Sequence, residues 1–146
     1  SLDGVRAEWP TDLPLFVRLS VTDWVKGGWD VADSVRLCKI LEERGDVDLI
    51  DCSSGGNDPR QDIPIHPAYQ TGFSQTIKEQ TGLMTASVGL INSPDLAEAI
   101  IANGWSDIVA LGRTLMSDPH WPLRAANSLK YKSNLWPSQY ERSNIF

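Results

Sequence analysis

Residues 84–113 read MTASVGLINSPDLAEAIIANGWSDIVALGR, and this stretch decides the fold. Met84 to Val88 is a short run with apolar character on both faces, closed by Gly89. Such a run reads as a strand covered on two sides. Ser93-Pro94-Asp95 then starts a helix, with a capping hydroxyl, proline at the first position and an acid in the first turn. Leu96, Ile100 and Ile101 supply its apolar side, and Asn103-Gly104 ends it. Asp107 to Leu111, DIVAL, is the next strand, followed at once by Gly112-Arg113. Strands of this kind joined by a helix form a parallel sheet.

The same unit recurs on both sides. Upstream, Pro14 to Ser20 (PLFVRLS) is a buried strand interrupted by Arg18. Asp30 offers an N-cap for a helix carrying Val31, Val35, Cys38 and Leu41 at helical spacing, with Gly45 as its stop. Val47 to Cys52 (VDLIDC) is the following strand. The loop SSGGNDPRQDIPIHPAYQ, residues 53–70, is long enough to be functional. A helix over Phe73 to Gln80 ends near Gly82. Downstream, Asp118-Pro119 repeats the cap-plus-proline signal for a last helix ending near Lys130. Residues 1–130 therefore read as four βα units, and 131–146 as a tail rich in Ser, Asn and Pro. Two architectures accept that order. One is a doubly wound open sheet; the other is half of a (β/α)8 barrel, which needs eight units and about 250 residues.

Composition narrows the function classes. The 146 residues are 41% hydrophobic and 22% charged, the balance of a globular chain with a real core. The net charge of −6, with Lys and Arg scattered singly, leaves no basic stripe for nucleic acid. No apolar run approaches the roughly 20 residues of a membrane helix, and the start carries no signal-peptide pattern. Cys38 and Cys52 make neither a disulfide framework nor a metal-ligand spacing, which fits a reducing, cytoplasmic setting. Six tryptophans, several beside Gly or Pro, suggest loop edges and interfaces.

In parallel α/β folds, ligands meet the C-terminal ends of strands. Gly89 and Gly112 each end a strand, and glycine lets a backbone N–H approach a ligand oxygen. Arg113 adds a charged fork at the turn GRTLMSDP, an arrangement suited to a phosphate. The plainer reading is two strand-capping glycines and a surface arginine. Arg18 breaks an apolar strand, where a charge is costly unless paired or used. It is either a structural ion pair with an acid such as Asp51 or a cation set against a ligand that becomes anionic. His66 and His120 read as surface residues, Cys52 as a buried thiol, and Asp23 as a turn residue. Trp24, Trp29 and Trp121 read as packing residues at loop edges.

PLFVRLSVTDW, DLIDCSSGG, SVGLI, DIVALGR followed by DP, and QYER near the end run colinearly through nearly the whole chain. Together they resemble the old yellow enzyme family of flavin oxidoreductases, or ene-reductases, in the bacterial-type branch of NADPH dehydrogenases. The resemblance implies the C-terminal half, strands five to eight, of a TIM (β/α)8 barrel with FMN as cofactor and NADPH as reductant. It implies hydride transfer from the reduced flavin to an activated alkene such as an enone. Arg18 matches the arginine against the flavin ring near its N1–C2 edge, where a cation stabilises the anionic reduced form. Gly89, Gly112 and Arg113 match the residues that hold the FMN phosphate. Arg142, beside Tyr140 in the QYER motif, matches an arginine that reaches a neighbouring subunit's active site.

The chain starts inside what looks like the helix before strand five, so no catalytic residue is expected within it. The family's substrate-binding His pair or His/Asn pair, its proton-donating Tyr and its contacts to the flavin's pyrimidine and O4 edges have no counterpart here. The ending Ser143-Asn144-Ile145-Phe146 stands where this branch has a short Gly-Trp ending. Open sheet edges then imply a partner, either an N-terminal half-barrel chain or segment or a second copy. The alternative is a non-catalytic half-barrel that binds phosphate or FMN as a scaffold.

Overall fold

The structure, a computed structural model, describes residues 2–132 and 136–143. Four strands, β1 (Phe16–Ser20), β2 (Leu49–Ser53), β3 (Met84–Val88) and β4 (Ile108–Ala110), lie side by side in the order of the chain. Every neighbouring pair is parallel. A doubly wound sheet requires the strand order to reverse at a switch point, and no reversal occurs here. Right-handed crossovers that always step the same way put every helix on one face, as in a barrel wall. The fold is thus a parallel four-stranded α/β sheet of the kind that makes up part of a TIM barrel.

Local sequence explains the helices. Helix α1 (Leu2–Glu8) precedes β1, and α2 (Val31–Arg44) follows it. Asp30 caps α2 in a reciprocal box with Asp33: each carboxylate accepts the other residue's backbone N–H, at 3.0 and 3.1 Å. Gly45 closes the helix at φ 70°, the left-handed position that favours glycine. Helix α3 (Thr71–Gln80) follows β2, and α4 (Pro94–Ala102) follows β3 with Ser93 Oγ accepting the Leu96 N–H.

One apolar cluster, with Val35, Cys38 and Leu41 of α2, Ile77 of α3 and Ile50 and Cys52 of β2, fills the space between sheet and helices. A second gathers Ile91, Ala97 and Ile100 under Val109, Leu111 and Trp121. Because side chains alternate along a strand, the opposite face carries Phe16, Arg18, Met84 and Ile108. It is open: Phe16 is 54% exposed and Met84 49%.

The C-terminal part departs from the sequence expectation. Where a turn was expected after Gly112, a short helix α5 forms over Arg113–Ser117. Asp118 does not cap the last helix. Its carboxylate accepts the His120 N–H and pairs with Arg124, while α6 begins at Trp121 with Pro122 in its first turn and ends at Ser128. An Asx turn satisfies Asp118 locally, so the helix starts three residues later. Part of the tail, whose sequence shows no clear period, forms a 3-10 helix over Ser138–Ser143.

Asp107 ties three elements at the base of the sheet. Its carboxylate accepts from Lys78 Nζ of α3 at 2.6 Å and from the Thr85 N–H of β3 at 2.9 Å, just before β4 starts. Burial opposes its ionisation, but these hydrogen bonds and the Lys78 charge hold it below the usual carboxylate range. A depressed folded-state value stabilises the fold above the unfolded value, about 3.9, and the contribution disappears as pH falls through the folded one. Asp107→Asn should therefore lower unfolding free energy at neutral pH by on the order of 1–2 kcal/mol. Urea melts at pH 7 and about pH 3 check this: the gap between variant and wild type should narrow in acid.

Candidate functional site

The C-terminal ends of β2, β3 and β4 open onto a cleft of about 690 Å³. That is within the span of cofactor and ligand pockets. Its floor comes from the turns after β3 and β4, with Gly89, Asn92, Gly112 and Arg113; its walls include Tyr69, Gln70, Trp121 and Arg124. Two hydrogen bonds bind the later segment to the β3 turn: Trp121 Nε1 donates to the Asn92 carbonyl at 3.1 Å, and Thr114 Oγ1 to the Ile91 carbonyl at 3.4 Å.

The two glycines have different physical reasons. Gly89 sits at φ 126°, and a Cβ there would lie 2.9 Å from both Gln70 Nε2 and Tyr69 Cε1. Its carbonyl accepts the Ala68 N–H at 2.9 Å, so it also shapes the chain locally. Gly112 has a φ of −88°, and a Cβ would meet nothing within 4 Å. No contact of the fold excludes a side chain there. Gly112 lines the cleft, and its backbone is open to an approaching group.

The arginines divide as sharply. Arg6, Arg18, Arg36, Arg44, Arg60 and Arg124 each stand in an ion pair with an aspartate. Among the described residues only Arg113 and Arg142 have no such partner. Arg113 is exposed at the start of α5 on the rim of the cleft. A guanidinium left without a carboxylate, next to an unobstructed glycine backbone, suits an anion.

The other residues singled out from the sequence lie elsewhere. Arg18 is on the open face of the sheet, outside the cleft lining, and pairs with Asp51: its Nε donates to Asp51 Oδ2 at 2.7 Å. Arg142 is exposed in the 3-10 helix and does not line the cleft. Cys52 is fully buried, and burial, with Cys38 and Asp51 nearby, pushes its thiol up, so it is inert at neutral pH. Burial likewise raises Cys38 to about 11. His66 and His120 are exposed, and among the described residues no His/Cys/Asp/Glu group could hold a metal. Asp23 is a turn residue, accepting the Trp29 N–H and also Asn57 Nδ2. Trp24 and Trp29 anchor their loops through Nε1 to Ser54 and Ser34.

Sequence reasoning missed Gln70 and Arg124. Gln70 is 2% exposed; it accepts from Ser54 Oγ at 2.6 Å and donates to the Val88 carbonyl at 2.8 Å, locking the Gly-rich loop to the end of β3. Nothing local marks it, because its partners lie 16 and 18 positions away. Arg124 carried a signal: it stands three residues after Trp121, on the same helix face.

Residues 1–132 match the NADH:flavin oxidoreductase / NADH oxidase family. The chain belongs to that family. Among its flavin-oxidoreductase relatives, the NADPH dehydrogenase of Bacillus licheniformis is 45% identical over 142 residues, covering 97% of this chain and 40% of the relative. The NADPH dehydrogenase of Bacillus subtilis is 42% identical over 141 residues, with the same shares covered. A solved structure of 2-naphthoyl-CoA reductase with 2-naphthoyl-CoA superposes with a TM-score of 0.76 at 26% identity, over 87% of this chain and 20% of that one. The chain spans about 40% of the length of these curated relatives. Membership in this flavin oxidoreductase family, the old yellow enzyme family, implies FMN and NADPH.

The glycine geometry makes a contrast testable. Gly89→Ala should destabilise the fold by about 1–3 kcal/mol, through left-handed strain and displacement of Gln70. Gly112→Ala should leave the melting temperature within a few degrees of wild type. Thermal melts of both variants decide it; equal losses would contradict the separate reasons given for the two glycines.

Proposed function

We propose that this chain is the FMN-phosphate-binding part of an NADPH-dependent ene-reductase, corresponding to strands five to eight of its (β/α)8 barrel. The observation that carries the reading is the unpaired Arg113 beside the unobstructed Gly112 in the cleft at the strand ends. Barrels of this type bind phosphate in the loops after strands seven and eight, with a short extra helix. The turns after β3 and β4, with α5, are the corresponding features here. The cleft fits a phosphate by the chemistry of its donors: Arg113 as a bidentate fork, and the backbone of Gly89 and Gly112 at close approach.

FMN, when bound, supplies the two-electron chemistry that links NADPH oxidation to reduction of an activated alkene such as an enone. The chain's own residues have binding and electrostatic work. Arg113 holds the phosphate charge. Arg18, by its family match, puts a cation at the flavin ring, which favours the reduced form. Arg142, exposed and without an ion pair, is free to serve the active site of a neighbouring subunit. The open face with Phe16, Met84 and Ile108 is the interior of the barrel, and the remaining wall, supplied by an N-terminal segment, covers it.

Three measurements bear on this. The whole protein should hold FMN whose visible absorbance is bleached by NADPH and restored by an enone; a colourless protein would overturn the reading. Arg113→Ala should weaken FMN binding by about 1.5–3 kcal/mol, the scale of a charged hydrogen bond. The 16.2 kDa chain alone should associate, since its open strand edges and apolar face are exposed. Light scattering that finds a stable monomer able to reduce enones unaided would contradict the proposal.

A further inference from the structure

Asp51 is the acid the open face of the sheet does not account for. It stands directly beside Arg18 in the strand register, in a row completed by Ala86 and Ile108, so no other charge shares that row. One carboxylate oxygen does all the pairing: Asp51 Oδ2 accepts from Arg18 Nε at 2.7 Å and lies 2.6 Å from Nη2. The other, Oδ1, is buried with no hydrogen-bond partner among the described residues. The pair is layered: the Asp51 side chain is 18% exposed and the Arg18 side chain 60%.

This geometry has two consequences. With Oδ1 desolvated and unpaired, Arg18 is the main compensation for the carboxylate charge. Conversely, the carboxylate holds the Nε and Nη2 edge of the guanidinium and leaves Nη1 outside the pair. The cation offered there is oriented and partly neutralised.

We infer that Asp51 is a positioning residue that aims Arg18 into the barrel interior and moderates the charge a bound flavin ring meets. The inference rests on the proposed FMN reading. A plain structural pair would affect stability alone, whereas a charge-moderating pair also sets how readily the flavin is reduced. Asp51→Asn keeps an acceptor for the guanidinium and removes the negative charge, so the cation acts undiminished and the reduced flavin is favoured.

The test is the reduction potential of FMN in the whole protein, poised against a redox dye. Asp51→Asn should raise the ratio of reduced to oxidised flavin at a fixed potential by roughly tenfold, about 30 mV for a two-electron couple. Asp51→Glu, which retains the charge, should stay near the wild-type value. A potential unmoved in Asp51→Asn, with FMN still bound, overturns this inference and leaves the proposed function standing. Wild-type protein that holds no FMN overturns both. Asn at this position would bury an amide where Oδ1 now sits, so that variant can fail to fold. In that case Asp51→Ser, which removes the charge with a smaller side chain, is measured in the same way. A potential raised in that variant supports the inference, and a wild-type potential with FMN bound overturns it.

Discussion

Everything in this chain follows from parallel strands added always on the same side of the last. Parallel strands stepping one way, joined with the right-handed crossovers that are the rule for such units, return each helix to the same face, so one side of the sheet carries the packed core and the other is open. The same rule brings the C-terminal ends of neighbouring strands to one edge. Turns that are distant in sequence, after β3 and after β4, become adjacent there and form a single cleft. The open face and the cleft are two outcomes of one topological constraint.

The open face carries an unusual mixture. Phe16, Met84 and Ile108 are exposed apolar residues, while Leu49 between Phe16 and Met84 is 1% exposed. Among them lies the Arg18–Asp51 pair, an ion pair with a desolvated carboxylate oxygen. Such pairs are poor sources of stability, because desolvation offsets the attraction, and removing one partner is costly. Replacing Arg18 therefore probes two things at once, the charge it offers and the acid it leaves behind. A double replacement with Asp51 separates them. In the cleft, by contrast, Arg113 has no acid to compensate, and its replacement reads out ligand binding more directly.

Much of the fold was legible because its signals are local. The Asp30 cap, the Gly45 stop and the Ser93-Pro94 start each act within one helical turn, and all three appear where the sequence puts them. Met84–Val88 has the bounds expected from its apolar run. The expectation failed at Asp118, where two local structures compete for one carboxylate. An Asx turn and an ion pair with Arg124 prevailed over a helix cap, and α6 starts later.

Sequence by itself determined the βα rhythm, the positions of Gly89, Gly112 and Arg113 after strand ends and of Arg18 within a strand, and, through five colinear motifs, the flavin oxidoreductase family. Those features depend on periodicity, capping and residue identity, which are readable one segment at a time. Only the tertiary structure decided between a doubly wound sheet and a barrel wall, because strand order is a relation between segments. Only it showed that Arg18 is paired and Arg113 is not, that the fold requires a glycine at 89 but not at 112, and that Gln70 locks the Gly-rich loop to the end of β3. Each of these is a contact across 16 or more positions or the absence of one, and its energy exists only once the sheet has brought the partners together.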